Sequence, residues 1–123
     1  MTEPWLDFAL LTSAGFPLQR YAAGDKIFVQ DDEGNCMYVV RSGRVSITTY
    51  GTVLESVGPN GIFGEMALID GSIRSATAVA SEPTEVAPID KAAFGHLVRQ
   101  DPGFALRVMR LLVQRLREMN ASL

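Results

Sequence analysis

The spacing of apolar positions changes twice along the chain. Near the start, Trp5, Phe8 and Leu11 fall on one face at helical spacing. With Thr2 as N-cap and Pro4 in the first turn, they predict a short helix over residues 4–11. From Gly15 to Ile89 the pattern becomes short β-rich runs broken by Gly, Asp, Asn and Pro. Strands are predicted over residues 26–30, 37–41, 45–50, 52–57, 76–80 and 85–89. Turn signals recur every ~8–12 residues, as in a sandwich or barrel of antiparallel strands. After Asp90, an N-cap residue, the period is helical again. It predicts one helix over 91–100 and a second, opened by Asp101-Pro102, running to about Met119. The expected fold is mainly β with flanking helices: an antiparallel, jelly-roll-like β-roll with one short N-terminal helix and two C-terminal helices. The gaps between elements are short, so residues 1–123 read as a single domain.

Composition narrows the function classes. At 123 residues with 47% hydrophobic and 20% charged positions, the chain has the makeup of a globular domain with a real core. A net charge of −3 gives no global electrostatic case for binding nucleic acid directly. No apolar stretch approaches the roughly 18 residues of a membrane span. Glu3 and Asp7 replace the basic region of a signal peptide, so a cytoplasmic location is expected. The one cysteine, Cys36, cannot form an internal disulfide and reads as a buried structural thiol. One histidine, His96, falls on a predicted helix beyond the roll, where it reads as a surface or packing residue. A metal barrel needs several histidines or a histidine–carboxylate cluster. Neither a metal nor a catalytic residue is therefore expected, and the chain reads as no enzyme.

The candidate chemistry is concentrated between Phe63 and Ala80. Gly64 and Glu65 open a short apolar turn, Arg74-Ser75 follows, and small and β-branched residues then alternate as a strand. Arg74 can offer two parallel N–H donors to the non-bridging oxygens of a phosphodiester, which Lys cannot. Ser75 adds a hydroxyl. Gly64 lets a backbone and a ligand approach closely, and the turn it opens presents helix N-terminal N–H groups. Glu65 would repel a phosphate, so it is expected to face the sugar that bears it and to accept from a sugar hydroxyl. Phe63-Gly64-Glu65-Met66-Ala67-Leu68 followed by Arg74-Ser75-Ala76-Thr77-Ala78-Val79-Ala80 resembles the phosphate-binding cassette of the cyclic nucleotide-binding domain family. The order of elements resembles that family across nearly the whole chain. Gly24, Gly34 and Gly43 match as well, and read as turn residues that tolerate positive φ.

The resemblance implies a receptor for a cyclic nucleotide, cAMP in preference to cGMP because Ser75 is similar to bacterial cAMP receptors. No cofactor is implied beyond that ligand. Phe63, Gly64, Glu65, Met66, Ala67, Arg74, Ser75 and Ala76 would surround phosphate and ribose, with Met119 and Asn120 at the base. In the family the last helix serves as a lid over the base, as a dimer seam, or as both. Here Ala105, Met109, Leu112, Leu116 and Met119 form a heptad-like seam, beside a stripe of Phe104, Val108 and Leu111. Arg107, Arg110, Arg115 and Arg117 make this helix locally basic, which reads as a solvated face. Ligand binding is expected to order the cassette and shift the helix, which would engage a protein partner or a second copy. Transcription activators of this family continue into a helix-turn-helix domain that is absent here. The chain is thus expected to act through a partner or to be an excised domain. The rival is an interaction module of the same fold that binds another effector or none. Retention of both Glu65 and Arg74 argues against it.

Overall fold

A computed structural model describes residues 6–121 of the chain. Two four-stranded antiparallel sheets form a β-roll, with helices packed on one side. The strands are β1 (Gln19–Tyr21), β2 (Lys26–Phe28), β3 (Cys36–Ser42), β4 (Val45–Thr49), β5 (Thr52–Val57), β6 (Ile62–Phe63), β7 (Thr77–Ala80) and β8 (Thr84–Asp90). One sheet has the order β1-β8-β3-β6 and the other β2-β7-β4-β5. This is the fold class expected from the sequence.

The runs that read most clearly as strands lie in the middle of a sheet with both faces covered. Residues 37–40 of β3 are all buried, as are residues 84–87 of β8. Tyr38 and Val40 face the second sheet, where they meet Val45, Val57 and Ala78, with Phe63 of the neighbouring β6 in the same cluster. Met37 and Val39 face the helices, where they meet Leu11, Leu97, Phe104 and Val108. A strand sandwiched in this way gains from an apolar residue at every position, not at alternate ones.

Strands β1 and β6 carry no such run and were not anticipated. At three and two residues they exist through their partners, β1 on β8 and β6 on β3. Strand β2 ends at Phe28, short of the expected residue 30, and β7 begins at Thr77, not Ala76. The ladder breaks where Gln30 donates its N–H to the Thr77 hydroxyl at 3.0 Å and Asp31 turns to φ 74°.

Helix α1 (Phe8–Ser13) begins later than the expected residue 4. Asp7 is its N-cap and accepts from the Leu10 N–H at 3.2 Å. Thr2, Pro4 and Trp5 lie outside the described residues. Helix α2 (Glu65–Asp70) is bracketed by Gly64 and Gly71, both at φ 72°. Helix α3 (Lys91–Gln100) is capped as expected, Asp90 accepting from the Ala93 N–H at 2.8 Å. Helix α4 (Gly103–Ala121) follows Asp101-Pro102 and docks on the roll through Phe104 and Val108. Of the expected heptad seam, Met109 and Leu116 are exposed. Leu112 is half-buried, and the exposed apolar line runs Leu106, Met109, Val113, Leu116. The burial of Phe104 and Val108 sets the rotation of the helix and turns that line outward. Among the described residues no helix is long and apolar enough to cross a membrane.

Candidate functional site

Pairing of Phe63 with Tyr38 fixes the end of β6. Gly64 then reverses the chain with a left-handed φ of 72°. A Cβ at Gly64 would lie 2.7 Å from Arg74 Nη1 and 3.2 Å from Phe28. Backbone freedom and close approach thus both require glycine there. No side chain caps the start of α2, so its first N–H groups are left for other partners.

Arg74 is clamped from its own backbone outward. Its carbonyl accepts from the Asp31 N–H and its N–H donates to the Asp32 carbonyl, both at 2.8 Å. The side chain is only 5% exposed. Nη1 donates to the Gly64 carbonyl at 2.8 Å and Nη2 to the Cys36 carbonyl at 2.9 Å. The guanidinium carbon sits 4.1 Å over the Phe28 ring. Nε is buried with no partner among the described residues. Gly34 lies directly against this group, since a Cβ there would fall 2.5–2.8 Å from the guanidinium. Its φ is not positive. The reading of Gly34 as a positive-φ turn residue is therefore corrected: the missing side chain leaves room for Arg74.

Glu65 begins α2 and is also buried, at 8% exposure. Its carboxylate accepts from Arg115 Nη1 of α4 at 2.5 Å. Arg115 Nη2 donates to the Glu55 carboxylate of β5 at 3.1 Å and to the Ile62 carbonyl. Cassette, edge strand and last helix therefore meet on one guanidinium.

These groups share a pocket of about 610 Å³. All eight cassette residues named from the sequence line it: Phe63, Gly64, Glu65, Met66, Ala67, Arg74, Ser75 and Ala76. Phe28, Ile47 and Leu54 give it apolar walls, and α4 contributes Leu112, Arg115 and Leu116. Helix α4 thus reaches the pocket one turn before the residues anticipated for the base. Asn120 is exposed and is not among the lining residues, and the Met119 side chain lies outside the described residues. Arg115, Glu55 and Phe28 were missed. Arg115 looked like one of several arginines on a solvated face, and its spacing carries no sign that it turns inward.

Other candidates lie elsewhere. Cys36 is half-buried at the start of β3, less enclosed than a structural thiol was expected to be, and its carbonyl serves Arg74. Burial, aided by a hydrogen bond with Cys36, pushes the Tyr38 phenol well above its ordinary value of 10.0 and keeps it neutral. His96 packs its ring 5.9 Å from Phe16. Among the described residues no group of three or more His, Cys, Asp or Glu could hold a metal ion.

Residues 18–101, from β1 to the end of α3, match the family model for the cyclic nucleotide-binding domain. The chain belongs to the cyclic nucleotide-binding domain family. It is 39% identical over 113 residues to the cyclic AMP receptor protein of Thermus thermophilus, covering 88% of this chain and 52% of that protein. It is 40% identical over 72 residues to a cAMP-dependent protein kinase regulatory subunit of Yarrowia lipolytica, covering 58% of this chain and 19% of that one. The chain thus spans about half the length of the first relative and about a fifth of the second. Among solved structures, the Thermus thermophilus catabolite activator protein superposes with a TM-score of 0.80 at 37% identity, over 94% of this chain and 55% of that one. A structure from a cyclic-GMP-dependent signalling pathway of bacterial phytopathogenesis gives a TM-score of 0.76 at 27% identity, over 90% and 91% of the two chains.

Proposed function

We propose that this cyclic nucleotide-binding domain is a regulatory receptor that prefers cAMP to cGMP and signals through α4. The observation that carries the proposal is the meeting of Arg74, Glu65 and Arg115 in one largely apolar pocket. A cyclic nucleotide carries a single negative charge on its phosphodiester and a free 2′-hydroxyl on its ribose. Arg74 and Ser75 take the phosphate, with the backbone of Gly64 and Met66 close to it. Glu65 accepts from the 2′-hydroxyl, Phe63 and Ala67 support the turn from below, and Ala76 keeps the wall low enough for the sugar. Ser75 and the likeness to two cAMP-linked relatives favour adenine. The domain binds and transmits; it has no catalytic role in this reading.

Transmission follows from a shared carboxylate. Arg115 of α4 is bound to one oxygen of the same carboxylate that would accept from the ribose hydroxyl. A bound nucleotide therefore changes what holds α4 to the cassette, and the helix shifts by as much as the two arrangements differ in affinity for ligand. The apolar line Leu106, Met109, Val113, Leu116, spaced three, four and three, supplies a surface for a second copy or another helix.

The test is calorimetric titration of refolded, nucleotide-free protein with cAMP, then with cGMP, with Arg74→Ala as control. Saturable binding lost in the variant, and tighter for cAMP, is expected. A folded protein that binds neither nucleotide would show that the pocket serves another effector or a partner alone.

A further inference from the structure

We propose that Glu55 reads the nucleobase, selecting rings that carry N–H donors; the proposal rests on the cyclic nucleotide reading of the same pocket. The polar groups form a strip of alternating charge, from Arg74 past Glu65 and Arg115 to Glu55. One guanidinium separates the two carboxylates, with Nη1 at 2.5 Å from Glu65 and Nη2 at 3.1 Å from Glu55. In a ribonucleotide the carbon bearing the 2′-hydroxyl is bonded to the carbon bearing the base. If the hydroxyl meets Glu65 and the phosphate lies toward Arg74, the base extends toward the other end of the strip. Glu55 stands there.

The rest of that end is apolar. Ile47, Leu54, Leu112 and Leu116 can cover the faces of a ring but cannot tell one ring from another. An ionised carboxylate accepts hydrogen bonds and donates none. It therefore rewards the exocyclic amine of adenine, or the N1–H and amine of guanine. A purine without N–H groups presents only lone pairs to it and is repelled. Arg115 holds one oxygen of Glu55 and leaves the second free at the pocket wall, since one oxygen accounts for the ion pair. The carboxylate is 46% exposed, so water competes for it and its selectivity is modest.

The test compares two ligands on the full chain: cAMP, and the 3′,5′-cyclic monophosphate of unsubstituted purine riboside. Dissociation constants are measured for the wild type, Glu55→Gln and Glu55→Ala. The wild type is expected to prefer cAMP by about tenfold, the scale of one partly solvated charge-assisted hydrogen bond. Glu55→Ala should bring the ratio close to one, mainly by weakening cAMP, with Glu55→Gln in between. Rejection of 2′-deoxy-cAMP, which depends on Glu65, should survive in both variants. An unchanged ratio, or equal weakening of both ligands, would overturn the proposal and leave Glu55 as a support for Arg115. Failure of the wild type to bind either nucleotide would overturn the parent reading and this one together.

Discussion

Replacing Arg74 by methionine separates binding from folding. The guanidinium is buried yet makes no ion pair among the described residues. Removing a cation from water costs several kcal/mol even after relaxation. Against that stand hydrogen bonds to the Gly64 and Cys36 carbonyls, each worth about 1.5–3 kcal/mol. Stacking on Phe28 adds roughly 0.5–2 kcal/mol. The two sides nearly cancel. Methionine keeps apolar contact with Phe28 and removes the buried charge. The unfolding free energy of nucleotide-free protein should therefore change by no more than about 2 kcal/mol. Binding has no such compensation. Losing two charge-assisted hydrogen bonds to the phosphate removes about 3–6 kcal/mol. That corresponds to roughly two to four orders of magnitude in dissociation constant. Urea denaturation of the ligand-free protein gives the first quantity and calorimetry with cAMP the second. An unchanged dissociation constant would refute the assignment of Arg74. Loss of more than about 4 kcal/mol of stability without ligand would refute the cancellation and make Arg74 a structural residue.

Three further outcomes are expected. Arg115→Ala should release α4 from the cassette, raising amide exchange in its second half in the absence of nucleotide and costing about 1.5–3 kcal/mol of stability, the scale of one hydrogen bond to a charged group; exchange equal to wild type would remove Arg115 from the proposed signalling path. Met109→Lys, on the exposed line and outside the pocket, should abolish self-association in sedimentation while leaving cAMP affinity within about twofold; a dimer that survives the change must use another face. Hydrogen bonds from Arg20 and then Arg41 hold the Glu85 carboxyl below its ordinary value of 4.5. Folding therefore favours the ionised form, and this stabilisation is present above that value and lost as pH falls through and below it. The denaturation midpoint should drop on acidification below about pH 4.5, with a shallower slope in Glu85→Gln. Because Arg20 is 86% and Arg41 51% exposed, high salt should narrow the difference between the two proteins.

Elements whose cause is local are legible in the sequence. Asp90 caps α3 with its own side chain, and the runs in β3 and β8 declare strands buried on both faces. Elements whose cause lies elsewhere in the chain were not. The two residues of β6 become a strand because Tyr38 and Val39 offer them a ladder. The outward line of α4 depends on which apolar stripe the roll accepts, and the sequence offers two. The cassette was legible because glycine, acid and arginine lie within about a dozen residues, bound to one another by local turns.

By itself the sequence marked out the groups at one end of the pocket: an arginine, a hydroxyl and a carboxylate. It also determined a β-roll to hold them, because alternation, turn residues and caps act over a few positions. Only the tertiary structure decided that Gly34 yields its space to Arg74, and that Arg115 reaches across from α4 to both Glu65 and Glu55. Those partners are separated by 40, 50 and 60 residues along the chain. An arginine's side chain is the same on a solvated face as in a pocket. What distinguishes the two is the surface that the rest of the fold brings within about 3 Å of it.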